Sequence, residues 1–269
     1  MRFASFLIPS TIGSAVLLAG PLCATGLHND LPSFFSRPDS ARVFTVRQAE
    51  LDLGTSRASL LTGAFMTRPA PRYEVRLDLQ FPAVRRREEV SYGVGDMMVH
   101  GAARIIGDTL NVSGLFLRAD LRIPSGSKGL RPFSNGAFEC EAGLEARRSE
   151  RGFAVRGAVL YTVASDRQDT ESFTNDAHLT AAASVEFPVP RVVSVGASVF
   201  VIGYDNADIR SMLLLSLRRA LSEQVVFEFA GGIEAGDESA RVFDSCVSIS
   251  FACRFPVSRP APNPGSSQP

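Results

Sequence analysis

The chain has 269 residues with 28 basic and 28 acidic side chains, so its formal net charge is zero. That balance excludes the basic footprint of a nucleic-acid binder, and no nucleic-acid partner is expected. The length suits one large all-β domain or two smaller ones. Lys128 is the only lysine among the basic residues and the rest are arginine. A GC-rich genome produces that bias, and so does an interior in which arginine forks grip carboxylates.

The chain opens with Arg2 and then the apolar run "FLIPSTIGSAVLLAGPLCA". This reads as an export signal over 1–24, cleaved after Ala24. Pro9 and Gly13 interrupt the run, which is too short for a membrane helix. Leu22 before Cys23 is not the small residue that a lipidated cysteine prefers. Residues 25–42 lack periodicity and form a leader.

From Val43 to Phe255 the chain divides into twelve strand-length segments with no helix between them. They run 43–53, 58–67, 73–82, 95–106, 109–122, 136–147, 152–164, 177–187, 192–204, 208–219, 223–234 and 240–255. The third contains "YEVRLDLQF", in which Tyr73, Val75, Leu77, Leu79 and Phe81 alternate without exception with Glu74, Arg76, Asp78 and Gln80. A strand sends alternate side chains to opposite faces, so one face is apolar and the other charged. In the fifth segment the apolar phase changes near Leu115 and Phe116, which suggests a bulge. The sixth sets Phe138, Cys140, Ala142, Leu144 and Ala146 against Glu139, Glu141, Glu145 and Arg147. In the eighth, Leu179, Ala181, Ala183, Val185 and Phe187 oppose His178, Thr180, Ser184 and Glu186. The ninth and tenth are apolar on both faces. The last ends in "SISFACRF", and the tail over 256–269 is Pro- and Ser-rich and is expected to be disordered.

Links after even-numbered segments are short, such as "RSER" and "PVPR". Several links after odd-numbered ones are long, including "AVRRREEVSYGVG" and "RIPSGSKGLRPFSN". Short turns at one end and long loops at the other, with an even strand count, fit an up-and-down outer-membrane barrel. The absence of Trp and the presence of only four Tyr run against the usual aromatic girdles, although 19 Phe can partly substitute. A strand finishing at Phe255 resembles the signal read by the barrel-assembly machinery. That machinery and outer-membrane lipid are therefore expected partners.

The stretches "GDMMVHGAARII", "LFLRADLRIPSGSKGL" and "NGAFECEAGLEARRS" resemble the outer-membrane proteins grouped as the putative MetA-pathway of phenol degradation family. Gly95 and Asp96 supply the Gly-Asp that opens a strand. Pro124, Ser125 and Gly126 stand at its "PTG" loop, and Asn135 and Gly136 approximate its Gly-rich start to the next strand. The resemblance covers residues 73–165. It implies an outer-membrane barrel passing small, often hydrophobic, molecules.

Catalytic chemistry is thinly represented. His28 lies in the leader, and His100 and His178 fall on the polar phase. Ser113 and Ser184 are conceivable partners for a lipid-ester hydrolase, but no spacing marks such a pair. The row Glu139, Glu141 and Glu145 lacks the loop carbonyls and turn glycine of a hard-cation site. Pairing with arginines on neighbouring strands, such as Arg76, Arg104, Arg156 and Arg210, is the plainer role. Cys140, Cys246 and Cys253 fit no metal spacing, and "RRREE" at 85–89 reads as a solvated outer loop.

The reading is an all-β, antiparallel, up-and-down transmembrane barrel of about 12 strands over 43–255. It is a non-enzymatic passive channel or transporter for a small solute, without cofactor or metal. The expected lumen residues are Glu74, Arg76, Asp78, His100, Arg104, Glu139, Glu141, Glu145, Arg156 and Glu186. The competing readings are a soluble secreted β-sandwich that binds a ligand, with charges outward, and a barrel lipid hydrolase.

Overall fold

The computed structural model describes residues 42–53, 56–70, 72–86, 89–107, 113–127, 130, 133–134, 138–150, 153–165, 175–189, 193–204, 209–222, 224–235 and 244–255. The expected signal at 1–24, the leader up to residue 41, His28 and the tail at 256–269 lie outside them.

Thirteen strands follow in chain order: β1 (Arg42–Asp52), β2 (Ser56–Ala70), β3 (Tyr73–Arg86), β4 (Glu89–Tyr92), β5 (Met97–Ile106), β6 (Gly114–Ile123), β7 (Phe138–Glu150), β8 (Phe153–Ser165), β9 (Asn175–Val189), β10 (Val193–Tyr204), β11 (Ile209–Ala220), β12 (Val225–Ala235) and β13 (Ser245–Phe255). Neighbours pair antiparallel, and β1 pairs β13 from Arg42↔Phe255 to Asp52↔Ser245. That last pairing closes the sheet. Twelve strands form the wall of an antiparallel barrel, and β4 is a short addition to it. Closure overturns the β-sandwich alternative, because two packed sheets would leave β1 and β13 as edges. No helix occurs among the described residues.

All twelve expected segments correspond to wall strands. The stretch 83–95, expected as one long link, is different: β3 runs on to Arg86, and β4 folds back on it through Ala83↔Tyr92 and Arg86↔Glu89. Below that hairpin β3 exchanges partner to β5, from Asp78↔Met98 to Tyr73↔Ala103. Between the two, the N–H groups of Gly93 and Gly95 donate to the carbonyls of Pro82 and Gln80.

The phase change near Leu115 and Phe116 has another origin than a bulge in β6. Arg104 faces Phe116 and Ile106 faces Leu115, so Ile105 is the extra residue and the bulge lies on β5. Just beyond it Gly107 has φ 123°, and a Cβ there would lie 2.7 Å from the Ser113 carbonyl oxygen. Only glycine makes that turn without strain.

The direction of the charges in "YEVRLDLQF" follows from burial. Tyr73, Val75, Leu79 and Phe81 are exposed at 40–54%, whereas Glu74, Asp78 and Gln80 are buried at 0–9%. The same alternation runs along β1, β11 and β13. Apolar side chains therefore face out around the wall, including Leu117, Leu144, Val159, Leu179, Val199, Leu215 and Phe229. Tyr73 to Phe81, rising about 3.3 Å per residue at about 40° tilt, covers roughly 20 Å, comparable to the ~25 Å apolar band of a membrane barrel. Phenylalanines gather on the wall at the short-turn end. Phe44 faces Phe65 across β1 and β2, and Phe227 and Phe251 meet with ring centroids 5.2 Å apart.

Candidate functional site

The face opposite the apolar belt is organised by arginine–carboxylate pairs. Period-2 spacing explains how: Arg76 and Asp78, Arg118 and Asp120, and Glu145 and Arg147 are each two apart and so share the inner face. Arg76 donates to both oxygens of Asp78 at 2.6 and 2.8 Å. His100 stands between two carboxylates, with Nε2 3.3 Å from Asp78 Oδ2 and Nδ1 3.0 Å from Asp120 Oδ1. Asp120 also accepts from Arg118 Nε at 2.8 Å.

Glu145, at 0% exposure, joins three strands. It accepts from Arg156 Nη2 at 2.6 Å and from Arg147, and Arg118 Nη1 stands 3.9 Å away. Arg147 continues to Glu74 at 2.7 Å, and Glu74 to Arg68 at 2.7 Å. A second group lies on the other side of the ring. Glu228 accepts from Arg47 at 3.2 Å and from Arg218 at 2.5 Å. Arg218 also donates to Glu186 at 2.6 Å, and Glu186 accepts from Ser194. Nearer the loop end Arg210 pairs with Glu234. Taking so many ions from water is tolerable only because each carboxylate meets a guanidinium or another donor.

Of the expected set, Glu74, Arg76, Asp78, His100, Glu145 and Arg156 belong to the first network, and Glu186 belongs to the second. Glu139 lies 3.9 Å from Arg122. Glu141 accepts from Thr162 Oγ1 at 3.3 Å. Arg104 is held over the Phe116 ring, 5.1 Å from its centroid. The inner network also contains residues the sequence reading did not assign to the lumen: Arg47, Asp96, Arg118, Asp120, Arg122, Glu228 and Glu234. Those on β6 were hidden by Phe116, an apolar residue on the charged phase. Without it, the row Arg118, Asp120 and Arg122 alternates as cleanly as β3.

Two of the groups considered for a hydrolase, His100 and Ser113, are engaged separately. His100 contacts Asp78 and Asp120. Ser113 Oγ accepts from the Ser149 N–H at 3.0 Å. Among the described residues no cluster of His, Cys, Asp and Glu is arranged to hold a metal ion.

No protein-family model matches the chain, and no curated protein matches its sequence. Solved structures do match its fold. An outer-membrane channel from Pseudomonas putida F1 superposes with TM-score 0.59 at 11% identity, over 80% of this chain and 95% of that one. The NanC porin gives 0.56 at 10% identity, over 79% and 100%. The translocator domain of the autotransporter NalP from Neisseria meningitidis gives 0.54 at 12% identity, over 91% and 98%. At such identities the likeness establishes the outer-membrane barrel fold. It does not choose among the tasks that fold performs.

Proposed function

We propose that the protein resides in the bacterial outer membrane and acts as a passive channel or transporter for small, hydrophobic or aromatic, molecules. One observation carries the reading: a closed barrel with an apolar belt outside and an ion-paired wall inside. In water that belt would leave an apolar surface far larger than monomeric soluble proteins expose. In lipid it is the required exterior. The cargo class rests on the sequence resemblance to the MetA-pathway family alone, and no family model matches the chain.

The residues assigned to the lumen are Glu74, Arg76, Asp78, His100, Arg104, Glu139, Glu141, Glu145, Arg156 and Glu186. Their mixed signs favour a hydrated, weakly selective passage over a strong ion filter. Replacing Glu139, Glu141 and Glu145 together by Gln should alter conductance or solute flux, and unchanged values of both would remove the assignment. The barrel-assembly machinery is the proposed partner of the strand ending at Phe255, and outer-membrane lipid that of the belt.

The first test is cell fractionation followed by a gel of unheated and boiled samples. A urea-resistant outer-membrane band whose mobility changes on boiling is expected. Recovery as a soluble periplasmic protein with no shift would end this reading.

A further inference from the structure

The inner face is not charged throughout. Near the loop end, Ala182 of β9 faces Phe200 of β10, which faces Met212 of β11. Two residues further along β11, Leu214 faces Gly232 of β12, and Gly232 faces Cys246 of β13. Cys246 faces Leu51, Leu51 faces Ala58, and Ala58 faces Val84. Apart from Gly232, all are buried in one contiguous apolar cluster. Gly232 completes the arc by lacking a side chain, since a Cβ there would collide with Leu214 Cδ2. These positions explain why the ninth and tenth sequence segments are apolar on both faces.

The cover of this arc comes from two described residues between β6 and β7. Leu130 and Phe133, each 2% exposed, belong to the same cluster. Polar contacts at its margin hold this part of the chain. The Asp96 N–H donates to the Phe133 carbonyl at 3.0 Å, and the Ser127 N–H donates to the Val94 carbonyl at 2.8 Å. The Asp96 carboxylate accepts from the Gly126 N–H at 3.0 Å and from Arg122 Nε at 2.9 Å.

An apolar inner wall is costly to wet, and a hydrophobic constriction resists the passage of water and ions. A small apolar molecule meets no such barrier, because it exchanges one apolar contact for another. Met212 and the small side chains of Ala58, Ala182 and Cys246 give the arc a wall that can refit around a different occupant. We propose that this arc is a binding subsite for small uncharged apolar solutes, which displace Leu130 and Phe133 from it, while hydrated ions are held back. The inference rests on the channel reading above.

The chain contains no tryptophan, so Phe133→Trp installs a single reporter. In vesicle-reconstituted protein, cyclohexanol should move its emission to the red, and glycerol at equal concentration should not. No shift, or the same shift with both, overturns the subsite. In planar bilayers, Leu130→Ser with Phe133→Ser should raise KCl conductance several-fold. Asp96→Asn, which loosens the same segment without touching the arc, should raise it in the same direction. A wild type that conducts and two variants that conduct equally would overturn the closure. If none of the three conducts while the reporter still responds to cyclohexanol, the subsite is supported and only the channel reading fails.

Discussion

The guanidinium of Arg147 lies over the ring of Phe116, 4.2 Å from its centroid, while Arg147 is also paired with Glu74 and Glu145. A phenyl ring at 1% exposure on a charged wall is therefore part of the ionic network. Its electron-rich face takes one side of a cation whose fork is already engaged. Phe116→Leu keeps an apolar side chain but removes that face. We expect a loss of about 1–2 kcal/mol, in the range of a desolvated cation–π contact, read as a lower urea midpoint for the folded gel band. A midpoint equal to wild type would show that the ring only fills space.

Glu145 concentrates more of the network than any other carboxylate described above, with Arg118, Arg147 and Arg156 around it. Glu145→Gln keeps the shape and leaves these guanidiniums sharing fewer counter-charges. Breaking a buried pair by removing one partner costs about 3–5 kcal/mol, and Glu145→Gln should approach the lower end because the amide oxygen still accepts a bond. The temperature at which the unheated gel band converts to the boiled form should fall. Adding Arg156→Gln should recover part of the loss, since it removes one of the three cations that share the Glu145 charge. A double variant as unstable as the sum of the singles would argue against direct coupling.

The wall was legible in the sequence wherever one face is uniformly apolar and the other uniformly charged. Strand β3 is the clearest case, because Tyr73 to Phe81 alternates without exception. Legibility failed where a side chain on the charged phase is itself apolar. Phe116 is tolerated inside by arginines from β5 and β7, a long-range arrangement that no local period encodes. Phe200, Met212 and Leu214 turn inward to meet one another and two residues of the β6–β7 link, so β10 and β11 lost their contrast. The short strand β4 was hidden for a different reason. Its side chains are all exposed, leaving "EVSY" without an amphipathic signal, and only pairing with β3 defines it. The pairing pattern of the inner carboxylates was also beyond a one-dimensional reading, since Glu74 meets Arg147, 73 residues away.

Leu144 tests the direction of the two faces. It is 48% exposed, on the outer face midway along β7, beside Glu145 at 0%. A basic residue on the lipid face near the bilayer centre costs about 2–4 kcal/mol in membrane barrels. Leu144→Arg should therefore lower the yield of heat-modifiable protein in the outer membrane and reduce the urea midpoint of the refolded barrel in vesicles. Were that face in water, the same change would be close to neutral. Unchanged stability in lipid would contradict the belt.

Two glycines on the wall separate close backbone approach from mere absence of a side chain. On β7 a Cβ at Gly143 would collide with the Val159 carbonyl oxygen and lie 2.8 Å from Leu160 Cα, so backbone on β8 blocks it. On β2 a Cβ at Gly63 would meet nothing within 4 Å. Gly143→Ala forces the β7–β8 pairing apart near Gly143↔Leu160, beside the Glu145–Arg156 pair. Overpacking of that kind costs about 1–3 kcal/mol, and the conversion temperature should drop accordingly. Gly63→Ala should instead hold or raise stability by about 0.4–1 kcal/mol, through a less flexible unfolded chain. Equal effects of the two substitutions would mean that β8 can yield, and that the tight approach at Gly143 is not a constraint on the wall.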